Sequence, residues 1–160
     1  MRKYRTNGAV GALLDEYEKA LNELFTVIAD LSSSELTQII DPDTKDADCH
    51  SIQTILTHLV QSGYTYAVEI RKWQGEDEDY RDKETLSSVQ EYRAALWIMF
   101  QFTEKLFEDH PNLKLTEYDN AKKIQVRWGQ TFDVEQLMQH AIVHILRHRR
   151  QIEKFKLLLG

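Results

Sequence analysis

Four stretches of this chain repeat apolar residues at intervals of three and four, the spacing that puts them on one face of a helix. The first covers about 10–31 and lines up Leu14, Tyr17, Leu21, Leu24, Ile28 and Leu31. The second follows Ser51, a good N-cap residue, and runs to about 74 with Ile52, Ile55, Leu59, Tyr66 and Ile70 inward. The third opens with Ser87-Ser88-Val89-Gln90, carries Val89, Tyr92, Leu96, Met99, Leu106 and Phe107, and ends before Pro111. The fourth opens at Asp133 with Gln136 three residues later, and continues through Leu137, Ala141, Ile145, Ile152 and Phe155. Pro42 and Pro111 both fall between these stretches, where a missing N–H costs nothing. The reading is an all-α fold: a four-helix bundle with long inter-helix loops at about 37–50, 75–85 and 111–132. Within the last loop Ile124-Gln-Val-Arg-Trp alternates and suits a short extended segment.

With 160 residues the chain is long enough for one domain with a proper core, so a single domain over 1–160 is expected. Its formal net charge of −6 argues against nucleic acid, whose phosphates demand basic patches, and against an anionic membrane surface. No run approaches the roughly 18 apolar residues of a membrane span. The MRKYR start is followed by no uninterrupted apolar region, since Asp15, Glu16 and Glu18 break it. A single cysteine, Cys49, excludes an internal disulfide and fits a reducing, cytoplasmic setting. Asp43, Asp46 and Asp48 would oppose a thiolate there, so Cys49 reads as an incidental loop thiol. The acidic run Glu76-Asp77-Glu78-Asp79 lacks the glycine pattern of a calcium loop and reads as a solvated turn.

Chemistry is signalled in one place. His140, His144 and His148 stand four residues apart in HAIVHILRH. Two imidazoles one helical turn apart can ligate one metal ion, as in HExxH helices. Residues eight apart are separated by about 12 Å of rise, so one ion cannot hold all three. Spacing alone admits either pair, 140/144 or 144/148, and a third ligand must come from elsewhere. His50 and His110 lie at loops or helix ends, whereas His58 sits inside the apolar second stretch, three residues after Ile55. Taken alone, His58 reads as a core histidine and the fourth-helix run as a solvated polar stripe beside Arg147, Arg149 and Arg150.

These residues resemble the DinB-like (DinB/YfiT) family of metal-binding four-helix bundles. Gln139-His140-Ala-Ile-Val-His144-Ile-Leu-Arg-His148-Arg149-Arg150-Gln151-Ile152 is similar to the family pattern H-x3-H-R-G-Q-I. Ser51-Ile52-Gln53-Thr54-Ile55-Leu56-Thr57-His58-Leu59 is similar to its S-I-x-x-I-L-x-H-L. The resemblance implies His58, His144 and His148 as the metal ligands, with His140 a neighbour. Arg150 departs from it, standing where the family usually has a small residue. Three neutral imidazoles would leave a divalent ion one open position, as catalytic sites do. Imidazoles suit zinc or nickel, with iron and cobalt as further candidates.

The resemblance further implies a metal-dependent enzyme that transfers or activates a low-molecular-weight thiol, with hydrolysis as a variant. The alternatives are a non-catalytic metal-binding bundle acting as a stress-related sensor, scavenger or binding module, and a plain bundle without metal. No catalytic residue beyond the ligands emerges. Gln151 suits a partner for a ligand, or an ordinary surface position. Arg147, Arg149 and Arg150 suit a carboxylate-bearing cosubstrate, or simply a helix C-terminal half. The expected partner is a small molecule, and exposed aromatics such as Trp97 and Phe100 would suit a homodimer.

Overall fold

Each long helix begins where a side-chain oxygen closes its first turn, which fixes the register of everything behind it. The computed structural model describes residues 4–160; Met1, Arg2 and Lys3, the start of the MRKYR stretch, lie outside them. Asn7 accepts from Val10 N and opens α1 (Gly8–Ile28). A Ser32–Glu35 capping box opens the short α2 (Ser33–Thr37), and a Ser51–Thr54 box opens α3 (Ile52–Trp73). Ser88 accepts from Glu91 N to start α4 (Val89–Asp109), and an Asp133–Gln136 box starts α5 (Val134–Leu159). The first helix stops at Ile28 rather than near Leu31, because Ser32 and Glu35 claim the following residues for a turn of their own. The alternating segment pairs as a small hairpin, β1 (Ile124–Gln125) antiparallel to β2 (Thr131–Phe132). Its turn passes through Gly129, whose φ of 94° suits glycine.

The four long helices form a ring in which α1 touches α4 and α5, and α3 touches α4 and α5. Their directions follow from matched contacts. Along α3 and α4, Thr57 meets Tyr92, Gly63 faces Met99 and Arg71 pairs with Asp109, so these neighbours are parallel. Along α1 and α5, Glu23 meets Arg149 and the Val27 carbonyl accepts from Lys156, again in parallel. By contrast α3 and α5 are antiparallel, as Tyr66 lies against His140 and His58 against His144. The order is therefore up, down, down, up. A parallel pair in direct succession obliges the chain to return the length of the bundle, which is why the α3–α4 connection is long. It does so along α3: Tyr80 bonds Glu69, the Arg81 carbonyl accepts from Gln61, and the Leu86 carbonyl accepts from Gln53.

The core between the helices contains Leu21, Leu24, Ile55, Leu96, Leu137 and Ile152, all fully buried. Phe100 belongs to it too. Its ring lies edge-on to Tyr17 with centroids 5.4 Å apart, and it is 0% exposed. This corrects the expectation of an exposed aromatic: Phe100 follows Met99 in the α1–α4 seam and offers no surface to a partner, while Trp97 is half-buried. No helix among the described residues is long and apolar enough to cross a membrane.

Removing a core aromatic loses its transfer free energy and leaves a cavity. Phe100→Ala is therefore expected to destabilise the fold by about 3–5 kcal/mol in urea unfolding, with no change in oligomeric state. A change in association with unaltered stability would contradict this placement.

Candidate metal centre

Two caps set the site. Ser51 fixes where α3 starts and Asp133 where α5 starts, and the antiparallel seam between them brings His58 opposite the His144–His148 turn. The Nε2 atoms converge: His58 to His144 is 3.0 Å and His148 to His144 is 3.1 Å. One ligand atom from each ring lies within 4.8 Å of the other two, a grouping that could hold a metal ion. Tetrahedral zinc with Zn–N near 2.0–2.1 Å needs nitrogens about 3.3 Å apart, close to the two short separations. His148 is 1% exposed and continues the buried stripe of Ile145 and Ile152; His58 and His144 are half-buried.

The far side of two rings is held. His148 Nδ1–H donates to Gln151 Oε1 at 2.9 Å, which leaves the Nε2 lone pair facing the cluster. Gln151 Oε1 also accepts from the Cys49 thiol at 3.7 Å. His58 Nδ1 sits 3.2 Å from Asp48 Oδ2 but off the line a hydrogen bond requires, so it is buried with an electrostatic partner only. Asp48 Oδ1 in turn pairs with Lys83 of the crossover segment. Asp48 and Cys49 arrive on a 3-10 turn, Ala47–Cys49, packed against α3 and capped by the Asp46 side chain. Cys49 is thus buried beside the cluster rather than loose in a loop, and burial pushes its thiol up, so it stays protonated.

Burial lowers the proton affinity of all three imidazoles. His144 is pushed down to about 2, by desolvation first and then by His148, His58 and Arg147. Desolvation likewise lowers His58, against the pull of Asp48, and His148, against its bond to Gln151. All three are therefore neutral at neutral pH, the state a metal needs. Once His148 gives its hydrogen to Gln151, a hydrogen on His144 Nε2 can serve only one of its two Nε2 neighbours. A cation among three lone pairs removes that deficit, and the donor set fits a divalent ion.

Beside the cluster opens a cavity of about 370 Å³, bounded by His58, Gln61 and Tyr66 of α3, His140 of α5, and Arg127 and Trp128 of the hairpin. Burial pushes the Tyr66 hydroxyl up to about 12, which keeps it a hydrogen-bond donor. A larger cavity of about 610 Å³, at Arg5, Glu104 and Phe107, shares no residue with the histidines.

The candidates separate clearly. His140 stacks on His144 with centroids 6.2 Å apart and stays outside the cluster. His50 bonds the Thr44 carbonyl and His110 bonds Glu76, both away from it. Arg149 is tied to Glu23 and Glu153, while Arg147 and Arg150 are exposed. Glu76 and Glu78 pair with Arg71 and Arg81, so the acidic run is braced rather than simply solvated. Sequence reasoning missed Asp48 as a partner of His58, and Arg127 as a cavity residue, because neither carries a periodic signal.

A model of the DinB family matches residues 4–157 of the chain. No curated protein and no solved structure matches it.

Partners of ligand imidazoles typically contribute tenfold to a hundredfold in metal affinity. Gln151→Ala and Asp48→Asn are each expected to weaken zinc binding by about that factor, measured by competition with a chromophoric chelator. Unchanged zinc affinity in both would show that these contacts do not orient the rings.

Proposed function

The chain belongs to the DinB family, and from that membership, joined to the convergence of His58, His144 and His148, we propose a metal-dependent enzyme acting on a small molecule. The observation that carries this reading is the donor set: three neutral imidazoles, with no fourth protein ligand in the cluster among the described residues. A closed structural zinc site would take four. A divalent ion held there keeps its full charge and, when bound, lowers the pKa of a water or thiol in its open position towards neutrality.

The reaction proposed is transfer or activation of a low-molecular-weight thiol, with hydrolysis as a variant. Zinc or nickel suits three imidazoles best, ahead of iron or cobalt. The chain's own part is positional. Gln151 and the Asp48–Lys83 pair hold two rings from behind, and the half-buried His58 and His144 leave the cluster approachable from the cavity. Tyr66 stands edge-on to both His140 and His144, which limits water on that side and presents a hydroxyl donor. A single cysteine and the absence of any spanning helix among the described residues support a cytoplasmic setting. One observation favours a non-catalytic metal-binding module instead: among the described residues no carboxylate lines the cavity to serve as a general base.

Metal content by plasma mass spectrometry, on untagged protein beside a His58→Ala/His144→Ala variant, tests the reading. About one ion per chain is expected in the wild type, and none in the variant. Absence of bound ion, with no uptake of added zinc or nickel, would overturn it.

A further inference from the structure

Arg127 stands at the hairpin turn and lines the cavity that opens beside His58. Its backbone N–H donates to Glu69 Oε1 at 2.8 Å, and the same oxygen accepts the Tyr80 hydroxyl at 3.0 Å. Glu69 is 5% exposed, so one buried carboxylate pins the hairpin and the crossover segment to α3. The Arg127 guanidinium then lies over the Tyr80 ring, 4.2 Å from its centroid. Stacking occupies the flat face of the guanidinium and leaves its N–H edge free.

That edge meets no acid. Among the described residues Arg5, Arg71, Arg81 and Arg149 all pair with carboxylates, and Arg127 does not. No carboxylate lines the cavity either. One side of its wall is aromatic: Trp128 and His140 lie nearly parallel at 28°, and Tyr66 is edge-on to both. Gln61, Ser62 and Thr65 also line it, each donating to a backbone carbonyl: those of Arg81, His58 and Gln61. The Trp128 N–H is already given to Gln130 at 2.7 Å, so the indole presents an apolar face.

We infer that this cavity binds a small carboxylate with a planar apolar body, its carboxylate on the Arg127 edge and its body against Trp128. A guanidinium fork matches a carboxylate with two parallel hydrogen bonds. A phosphate would call for further charged donors, and among the described residues neither a lysine nor a helix N-terminus lines this wall. The volume lies near the lower end of the range for ligand pockets, which restricts the body to about one ring. Between His58 and Tyr66 the α3 wall runs about 12 Å, so a ligand anchored at Arg127 points its other end towards the histidines. Only that direction, with the reacting group at the histidine end, rests on the metal-enzyme reading; the anion site itself does not.

Benzoate and its neutral counterpart benzamide are the probes, titrated into metal-free and zinc-treated protein and followed by tryptophan fluorescence and amide NMR shifts. Benzoate should bind at least tenfold more tightly than benzamide, equivalent to about 1.4 kcal/mol. Arg127→Ala should erase that preference with the helical circular dichroism intact, and Arg127→Lys should retain part of it. Inorganic phosphate at the same concentration should not displace benzoate. Equal binding of the two probes, a preference that survives Arg127→Ala, or displacement by phosphate would overturn the inference. Zinc uptake is read separately in the same samples. A benzoate preference without zinc uptake would sink the enzyme reading alone, and zinc uptake without the preference would sink this one alone.

Discussion

Three neutral imidazoles face one another across the α3–α5 seam with fewer hydrogens than lone pairs, and the local structure is arranged around that shortage. Buried polar groups without partners are costly. Here they are tolerated because the caps at Ser51 and Asp133 fix both helices, and because core residues such as Ile55, Leu59, Ile145 and Ile152 flank the rings along them. His148 shows the constraint most sharply. It occupies a position that Ile145 and Ile152 mark as core, and its one satisfied nitrogen points away from the cluster towards Gln151.

Around this centre the irregular segments divide the work that the helices cannot do. The 3-10 turn at Ala47–Cys49 supplies a negative charge behind His58, and the crossover supplies Lys83 to hold that charge in place. The hairpin closes the other side with Trp128 and Arg127. Each is anchored to α3, the helix that contributes to the cluster, the cavity and the return path of the chain. Long connections in this bundle are thus working parts of the candidate site as well as links.

Much of the fold was legible because it rests on local rules. Apolar spacing located the four long helices, and the caps at Ser51 and Asp133 placed two of their starts. The Ser87–Gln90 pattern fell one residue before the Ser88 cap of α4, and the Asn7 cap of α1 went unread. Ile124-Gln was legible as extended from its alternation. Helix direction was not, since periodicity says which face is buried and nothing about which neighbour buries it; Phe100 was misjudged for that reason. Spacing alone left 140/144 and 144/148 equivalent, and only the resemblance chose between them. The structure brings 144/148 to His58 and sets His140 against Trp128 and Tyr66. Asp48, Lys83 and Arg127 lay beyond reach because their partners are fixed by loop geometry rather than by any repeat.

The up-down-down-up order has a consequence for how the chain comes together. His58 and His144 are 86 residues apart, and α5 packs against both α1 and α3. During synthesis the first three long helices emerge with one side of their shared core bare, and they wait for the last one. Contacts between distant parts of a chain slow folding relative to a bundle of successive hairpins. The histidine cluster therefore assembles at the final docking step, and a nascent chain offers no such cluster until α5 has left the ribosome.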